Sequence, residues 1–404
     1  MSELQGGLVR TGSIDDAPVV VLVQKLLEQA VDLQASDLHF EPYEQSYRVR
    51  VRVDGQLREL DVVQTAFRER LAARIKVMAR LDVAEKRLPQ DGRIKWPQDN
   101  GRHLDLRVST LPTLFGEKVV VRVLDARQDQ LQLAQLGYEP EDLAMLEAAI
   151  HRPHGMVLVT GPTGSGKTQS LYACLNQLNT SEVNIATVED PCEIQMSGIN
   201  QVNVQDKPGL SFAVALRAFL RQDPDVLMVG EIRDLETAQI AVQAAQTGHM
   251  VLSTLHTNDA PSTLVRLRNM GVANYNIAAS VSLITAQRLV RRLCPVCKKP
   301  QSILGEVLQE AGGLPADSAG TYTTYLPAGC SQCHKGFKGR TGIFQVMPVS
   351  TQLQELILHD ASGLDLSRQA QREGLRTLRE AGMHKVLSGI TSLDEVIAAT
   401  RSDP

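Results

Sequence analysis

The sequence predicts an α/β protein whose core is a mostly parallel sheet covered by helices on both faces. Four short apolar segments alternate with helical stretches and give this prediction: "GMVLVTG", "VNIATVED", "DVLMVG" and "HMVLSTLH". Strands that are apolar on both faces are typical of buried parallel sheets. A smaller α/β region precedes this core, and two close cysteine pairs mark an insertion after it.

Length and composition define the broad class of protein. A chain of 404 residues is long enough for two or three globular domains. The net charge is −4, whereas many nucleic-acid-binding proteins carry a net positive charge, so no nucleic-acid partner is expected. The sequence starts without a recognisable signal peptide, and its longest apolar runs are too short to span a bilayer. We therefore expect a cytoplasmic protein with at most peripheral membrane association.

Six segments are expected along the chain. They are an N-terminal tail, a small α/β domain, a glutamine-rich linker, the α/β core, a four-cysteine subdomain and a C-terminal helical region, at residues 1–17, 18–127, 128–140, 141–290, 291–336 and 337–404. The stretch "LGEVLQEAGGLPADSAG", rich in Gly, Ala and Pro, is expected to form a loop inside the four-cysteine subdomain.

The small domain is expected to contain a helix, an alternating strand, a hairpin and a closing strand. In "YRVRVRVDGQLREL", Arg48, Arg50 and Arg52 share one face of a strand and three valines share the other. The segments "DGRIKWPQDNGRHLDLRVSTLP" and "GEKVVVRVL" predict the hairpin and the last strand. Arginine clearly outnumbers lysine in this domain, which indicates planar recognition of phosphate or carboxylate groups.

A glycine-rich segment, "GPTGSGKT", follows an apolar strand and opens a helical pattern. In such a loop the glycines allow successive backbone N–H groups to face phosphates. Lys167 would reach the terminal phosphates, and the Thr168 hydroxyl would ligate magnesium. A plain glycine-rich turn is the alternative, but it does not explain the flanking strand and helix. ATP and Mg²⁺ are therefore expected at this loop, at Gly161, Pro162, Thr163, Gly164, Ser165, Gly166, Lys167 and Thr168.

Acidic residues end two of the predicted strands, where a parallel sheet presents side chains to a nucleotide crevice. Glu189 and Asp190 end one strand, and Glu231 follows Gly230 at the end of another. With glycine at position 230, Glu231 can contact the metal only through water or can orient the attacking water. One carboxylate can thus position the water while the other supports the metal shell. The alternative is that these residues only cap helices.

Two histidines flank the strand "MVLSTL". His256 follows this strand, at the phosphate end of the sheet, where its ring could sense the γ-phosphate by hydrogen bonding. His249 enters at the opposite end and is expected to be structural. Cys174 and Cys192 are isolated cysteines and are expected to pack as small apolar side chains.

The pairs "CPVC" and "CSQC" predict a zinc site formed by Cys294, Cys297, Cys330 and Cys333. Four thiolates suit tetrahedral Zn²⁺ and leave no open coordination position, so the metal's role should be structural. The alternative is four unligated thiols. A basic cluster near these pairs could contact anionic lipid, or could be an ordinary solvated or intersubunit surface, and comprises Arg288, Arg291, Arg292, Lys298, Lys299, Lys335, Lys338 and Arg340.

These motifs, in this order, resemble the secretion ATPase superfamily of type II secretion and type IV pilus assembly. The resemblance rests on "GPTGSGKT", "TVEDP", "LRQDPDVLMVGEIRDLETA" and "TGHMVLSTLHTNDA" and extends to "ASDLHFEPYEQSYRVRVRVDG" and "GFKGRTGIFQVMPVS". It implies a RecA-like P-loop ATPase core and a PAS-like small domain, with ATP bound between the two. It also implies a homohexameric ring and, as partner, a platform protein of the inner membrane.

The same resemblance assigns roles to individual residues. Glu189 corresponds to the acidic box, Glu231 to an atypical Walker B motif and His256 to the histidine box. Arg50 and Arg52 correspond to the small-domain strand that meets the phosphates. Such an arginine neutralises charge on the transferred phosphoryl group only when its domain closes. A solvated arginine face is the alternative, and the weaker candidates are Arg217, Arg221 and Arg233.

The leading hypothesis is a cytoplasmic hexameric motor, peripherally bound to the inner membrane, that hydrolyses ATP to assemble a pseudopilus or pilus. Only about 17 residues precede the matching region, so we expect no N-terminal docking domain of the kind that many relatives carry. Three alternatives are a pilus retraction motor, a nucleic-acid translocase and a zinc-dependent interaction module. Retraction motors typically lack the four cysteines, and the other two fit the charge and the acidic motifs poorly.

Overall fold

A computed structural model describes five stretches of the chain, 17–97, 103–124, 131–205, 207–312 and 320–400. The chain splits into two compact units, Met1–Ala126 and Arg127–Pro404. The expected N-terminal tail lies outside the described residues except for Ala17, where the first helix begins. Part of the expected linker, 128–130, and part of the expected loop, 313–319, also lie outside them.

In its described residues, 17–97 and 103–124, the first unit contains a six-stranded antiparallel sheet and two α-helices. Its elements are α1 (Ala17–Asp32), β1 (Asp37–Pro42), β2 (Tyr47–Val53), β3 (Gln56–Val63), α2 (Arg68–Met78), β4 (Gln90–Pro97), β5 (His103–Thr113) and β6 (Gly116–Leu124). The strand order is β3-β2-β1-β6-β5-β4. The predicted hairpin is the β4–β5 pair, and the predicted closing strand is β6.

Burial alternates along β2 as the sequence predicts. Val49, Val51 and Val53 are buried in the core with apolar side chains of α1 and α2. The intervening arginines lie on the opposite, half-buried face. This pattern follows from the period of two in a strand, because one face packs on helices and the other does not.

The second unit contains a seven-stranded sheet with helices on both faces and a separate two-stranded sheet. Its elements up to the cysteine pairs are α3 (Pro140–Ile150), β7 (Gly155–Thr160), α4 (Lys167–Leu178), β8 (Ile185–Glu189), β9 (Asn200–Asn203), α5 (Phe212–Phe219), β10 (Val226–Val229), α6 (Leu235–Gln246), β11 (Met250–Leu255), α7 (Ala260–Asn269), α8 (Asn274–Ser280) and β12 (Val281–Leu293). The remaining elements are β13 (Lys299–Leu304), α9 (Gly305–Glu310), β14 (Thr321–Leu326), β15 (Phe337–Pro348), α10 (Thr351–Leu358), α11 (Gly363–Arg372), α12 (Leu378–Leu387) and α13 (Leu393–Ala399).

The large sheet has the order β15-β12-β7-β11-β10-β8-β9. The four predicted apolar strands are β7, β8, β10 and β11, and all of them pair in parallel. Strand β12 also runs parallel to β7, whereas β15 pairs antiparallel with β12. The carboxyl ends of the parallel strands therefore meet at one edge of the sheet.

The region 337–404 is not wholly helical, because residues 337–348 form strand β15. Its apolar run pairs with β12, and Ile343, Phe344 and Val346 are buried. The expected linker also differs from the structure. Leu133 and Tyr138 are buried in the second unit, and the Tyr138 ring stacks on Phe344 with centroids 3.6 Å apart. Leu131 and Leu136 of the same segment pack against this core as well, so its apolar side chains hold the segment on the second unit.

The expected loop in the four-cysteine subdomain begins with a helix, α9, and β13 pairs with β14 on either side of it. Leu308 of this helix is fully buried with Met383, Val386 and Val396 of the C-terminal helices. Burial of Leu308 therefore stabilises a helix in a segment whose composition predicts a loop.

Candidate active site and zinc centre

The glycine-rich loop connects the buried strand β7 to helix α4. Gly161, Gly164 and Gly166 have φ values of +147°, +80° and +89°, which L-amino acids with a side chain rarely adopt. A Cβ on Gly161 would lie 2.6 Å from the backbone oxygen of Gln287, so the loop also needs a glycine for close packing. Helix α4 begins at Lys167 without a side-chain cap, which leaves its N-terminal N–H groups available to an anion.

Lys167 is buried beside this loop. Its Nζ donates hydrogen bonds to the carbonyl oxygens of Gly161 at 2.7 Å and Pro162 at 3.1 Å. Burial lowers the pKa of Lys167 to about 8, because the charged amine is held away from water. Among the described residues, the buried Ser165 hydroxyl has no hydrogen-bond partner. These features fit a loop that binds an anion, since a phosphate would pair with the charged amine and accept a hydrogen bond from the Ser165 hydroxyl.

A cavity of about 340 Å³ lies at the carboxyl edge of the sheet, over the loop and the start of α4. The predicted site residues Lys167, Thr168, Glu189, Glu231 and His256 all line it. The structure thus brings together side chains from four separate chain segments. Its further lining residues are Thr163, Gly164, Gly166, Gln169, Leu171, Asp190, Pro191, Glu193, Phe212, Met228, Gly230, Thr254, Leu289 and Arg340.

Glu189 is the last residue of β8 and is 3% exposed. Its Oε1 accepts hydrogen bonds from the Thr187 hydroxyl at 2.7 Å and from Gln201 Nε2 at 3.2 Å. Its Oε2 accepts a hydrogen bond from the Tyr172 hydroxyl. The carboxylate is therefore buried among neutral hydrogen-bond donors, of which two donate to Oε1 and one donates to Oε2.

Glu231 lies between two cationic or basic side chains. Its Oε1 forms an ion pair with Arg233, and its Oε2 is 3.3 Å from His256 Nε2. Arg233 Nη1 is also 3.4 Å from Asp190 Oδ2, so this arginine connects both acidic segments. The hydrogen bond to Glu231 raises the pKa of Arg233. Of the weaker arginine candidates, Arg233 is the one that the structure places beside the acidic residues.

The other two weaker candidates are engaged with each other and with α6. Arg217 forms a 2.7 Å ion pair with Glu236, and Arg221 donates to the carbonyl oxygen of Arg217. Neither of them lines the cavity. His249 makes a local contact, in which its Nδ1 lies 2.9 Å from the carbonyl oxygen of Ala244.

Gln287 is a site residue that the sequence analysis missed. It lies in β12 beside the glycine-rich loop and is 1% exposed. Its Nε2 donates to the carbonyl oxygen of Ser165 at 2.7 Å, and its Oε1 accepts from the Ser170 hydroxyl at 2.8 Å. Other polar residues stand close to it in the sequence, among them Thr285 and Arg288, so no sequence signal distinguished it.

The basic cluster near the cysteines does not form one free surface. Arg291 pairs with Glu395 at 2.6 Å and stacks over the Phe337 ring at 4.0 Å. Lys298 donates to the carbonyl oxygen of Gly389, and Arg288 donates to the carbonyl oxygen of Asn258. Arg340 lines the cavity instead. The exposed members that remain are Arg292, Lys299, Lys335 and Lys338.

The four predicted zinc ligands form one cluster. The Sγ atoms of Cys294, Cys297, Cys330 and Cys333 all lie within 4.8 Å of one another, and three of the pairs are 3.6–3.9 Å apart. Ligands at 2.3 Å from a tetrahedral zinc would be about 3.8 Å apart. Backbone N–H groups of Gly329 and Cys330 donate to two of the sulfurs. The residues present therefore fit a structural Zn²⁺ ion.

The remaining two cysteines lie elsewhere. Cys174 is fully buried in the core, and burial raises the pKa of its thiol to about 12, which makes it unreactive. Cys192 is half-buried, and its Sγ lies 3.8 Å from the carbonyl oxygen of Val202.

Arg50 and Arg52 belong to the first unit, where acidic residues of β1 hold them. Arg50 forms two hydrogen bonds to Glu41, of 2.7 and 2.8 Å. Arg52 Nε lies 3.8 Å from Asp37, and its Nη1 donates to the carbonyl oxygen of Gly55. The arginine face is thus an ordered array of ion pairs within its unit.

Within the described stretches, every helix is too short or too polar to cross a membrane.

Residues 13–398 match the family described as type II/IV secretion system protein. The chain is 54% identical over 387 residues to the type IV pilus assembly ATPase PilB of Acinetobacter baylyi, covering 96% of this chain and 67% of that protein. It is 48% identical over 390 residues to the type II secretion system protein E of Dickeya dadantii, covering 96% and 77%.

Two solved structures share the fold. The Legionella pneumophila ATPase DotB has a TM-score of 0.69 at 20% identity and covers 93% of this chain and 94% of its own. The pilus retraction motor PilT with bound ADP has a TM-score of 0.64 at 24% identity and covers 94% and 97%. The predicted α/β secretion-ATPase fold is therefore confirmed, and the chain belongs to the type II/IV secretion system protein family, whose relatives are ATPases of pilus assembly and type II secretion.

Proposed function

We propose that this chain hydrolyses ATP in the cavity over α4 and that the turnover drives assembly of a pilus or pseudopilus. One observation carries the proposal. A single cavity contains an uncapped helix N-terminus, a buried lysine and two carboxylates from the ends of neighbouring strands. A phosphate chain, its counter-ion and an attacking water need these groups together.

The loop and Lys167 bind the phosphates in this proposal. The backbone N–H groups at the start of α4 donate to phosphate oxygens, and Lys167 exchanges its two carbonyl contacts for a contact with the phosphates. The Thr168 hydroxyl, at the second position of α4, holds Mg²⁺, which when bound neutralises negative charge on the phosphates. Arg340 and Leu289 line the same cavity and contact the remainder of the nucleotide.

Glu231 positions the water in this proposal. Its side chain is only 18% exposed and is held from two sides by Arg233 and His256, so its orientation is fixed. A carboxylate held in this way can accept a proton from water as the water attacks the terminal phosphate. Glu189 would support the metal shell with its carboxylate, which the Tyr172 hydroxyl orients at Oε2. His256 contacts both Glu231 and the terminal phosphate.

Further features of the proposal come from the resemblance and from the residues of the chain itself. Arg50 and Arg52 stabilise charge on the phosphates during turnover. The chain acts as a homohexamer in the cytoplasm, on a platform protein of the inner membrane, and zinc holds its four-cysteine subdomain together. The exposed Arg292, Lys299, Lys335 and Lys338 supply any contact with anionic lipid. The higher identity to PilB than to protein E, 54% against 48%, favours pilus assembly over secretion.

The substitution Glu231→Gln tests the catalytic assignment. We expect at least a 100-fold loss of ATP hydrolysis with unchanged binding of a fluorescent nucleotide, because the amide keeps the shape but cannot act as a base. The control is Glu236→Gln, which removes an exposed carboxylate paired with Arg217. Wild-type hydrolysis by Glu231→Gln would refute the role. A pull-down from membranes would identify the platform protein and so distinguish pilus assembly from secretion.

A further inference from the structure

Tyr172 lies in α4 one helical turn after Thr168, the residue proposed to hold Mg²⁺. Residues four apart project from the same face of a helix, so Thr168 and Tyr172 share a face. Tyr172 is 1% exposed, and its hydroxyl donates to Glu189 Oε2. The same hydroxyl accepts a hydrogen bond of 3.1 Å from the backbone N–H of Glu193, in the segment that follows Glu189 and lines the cavity.

The three donors to Glu189 come from different elements. Thr187 belongs to the same strand as Glu189, and Gln201 belongs to the neighbouring strand β9. Among these donors, only Tyr172 comes from the helix that follows the phosphate-binding loop. Its hydrogen bond therefore connects the carboxylate to the element that carries Lys167 and Thr168.

The Tyr172 hydroxyl is suited to remain a hydrogen-bond donor to Glu189. Burial raises the pKa of Tyr172, and the adjacent Glu189 carboxylate raises it further, so the hydroxyl stays protonated. A neutral donor orients the carboxylate without neutralising it, which leaves the negative charge available to a metal shell or a water. A carboxylate in an active site must keep its orientation within a narrow range for full activity.

We propose that Tyr172 is a positioning residue that fixes the Glu189 carboxylate relative to Thr168. The proposal rests on the role of Glu189 in the proposed function. Through this bond, α4 and the acidic end of β8 keep one mutual geometry when nucleotide binds. Tyr172 does not line the cavity, so it acts through Glu189 rather than on the nucleotide.

The substitution Tyr172→Phe removes only the hydroxyl. We expect kcat for ATP hydrolysis to fall roughly tenfold, the usual scale for loss of a partner that orients an active-site ligand. Because the phosphate-binding loop is untouched, the Kd for a fluorescent ATP analogue should stay within twofold. The control is Tyr47→Phe, which removes a buried hydroxyl that has no hydrogen-bond partner from the core of the first unit. All rates are normalised to the concentration of nucleotide-binding sites, so that a misfolded fraction does not count as lost activity.

A double-mutant cycle distinguishes positioning from a structural role. If Tyr172 acts through Glu189, adding Tyr172→Phe to Glu189→Gln should cause no further loss of kcat. Equal fold losses in both backgrounds would overturn the proposal, as would wild-type kcat in Tyr172→Phe or an equal loss in Tyr47→Phe. If Glu189→Gln alone retains wild-type kcat, the role of Glu189 in the proposed function fails instead, and that result is read from the single variant.

Discussion

Gln287 shows how one buried side chain can set the shape of the phosphate-binding loop. Its side-chain amide bridges the Ser165 carbonyl and the Ser170 hydroxyl. The backbone carbonyl oxygen of Gln287 packs against Gly161. Both hydrogen bonds are buried, so loss of the amide leaves two polar groups without partners. The loop conformation therefore depends on a residue more than 100 positions away in the chain.

We expect Gln287→Leu to lower the free energy of unfolding by about 1–3 kcal/mol, the cost of unsatisfied buried groups. Because Ser165 loses its anchor within the loop, nucleotide Kd should rise as well, by roughly tenfold. Denaturant unfolding and titration with a fluorescent nucleotide measure the two effects. In Ser170→Ala the bond to Ser165 remains, and the Kd should change less. An unchanged Kd in Gln287→Leu would contradict this account.

At the residue scale, spacing and residue type were enough to predict the loop, the acidic strand ends and the four cysteines. Each of these is a short motif whose members fold together locally or at the same sheet edge. The sequence did not predict Gln287 or Arg340 as site residues. It gave Arg233 only as one of three weaker arginine candidates. Their contacts depend on which strands become neighbours, and β12 and β15 approach the loop from distant parts of the sequence.

At the scale of elements, the four-cysteine subdomain is joined to the C-terminal helices by a compact set of bonds. Arg291 of β12 makes bidentate hydrogen bonds to Glu395 of α13. Leu293 donates its backbone N–H to the carbonyl oxygen of Ile390, and the Thr391 hydroxyl donates to the carbonyl oxygen of Arg291. Helix α13 and the turn that precedes it therefore stabilise the strand that leads into the four-cysteine cluster.

We expect Glu395→Gln to lower the free energy of unfolding by about 1–3 kcal/mol at pH 7, because Arg291 stays half-buried without its counter-charge. Burial alone would raise the pKa of Glu395, but the hydrogen bonds from Arg291 outweigh burial and lower it. The contribution is thus present at neutral pH and fades as the pH falls below about 4.5. Urea unfolding at pH 7 and pH 4 measures this.

The control for this prediction is Asp394→Asn, which changes the neighbouring exposed carboxylate. It should be close to neutral at both pH values. Equal stability of Glu395→Gln and wild type at pH 7 would show that the desolvation cost of the two charges cancels their attraction.

The elements were predicted well where a single periodic pattern dominated. Helix α4 follows directly from the helical pattern after the glycine-rich loop, and the four central strands follow from their apolar runs. Strand β15 was not predicted, because its glycines and basic residues are typical of a loop. Its partner β12 is separated from it in the sequence by the four-cysteine subdomain. Such a pairing is decided by tertiary packing rather than by local preference.

At the scale of the whole molecule, we expect one zinc ion per chain in protein purified without chelator. The fit of four thiolates to tetrahedral geometry is the reason. Removal of the metal should lower the Tm, because four thiols would be left close together without the ion that holds them. Metal analysis and thermal unfolding measure this. Cys294→Ser should lose zinc, whereas Cys192→Ser should keep it, and a metal-free wild type would refute the site.

The second whole-molecule prediction concerns the arginines of the first unit. We expect Arg50→Ala combined with Arg52→Ala to retain nucleotide binding and to lose ATP hydrolysis by at least 100-fold, as for an arginine that stabilises the transferred phosphoryl group. Steady-state hydrolysis and nucleotide titration separate the two properties. Arg48→Ala, on the same face and near the same Glu41, should lose less. Undiminished hydrolysis in the double variant would end this assignment.

Strand β12 is the second strand from one edge of the large sheet, contains Gln287 and ends immediately before Cys294. Seven residues of nearly extended chain span about 20 Å and resist stretching. We expect a displacement of the phosphate-binding loop on nucleotide binding to be transmitted along this strand to the four-cysteine cluster. A spin label attached at position 296, where Val296 is exposed, would detect this displacement when nucleotide is added.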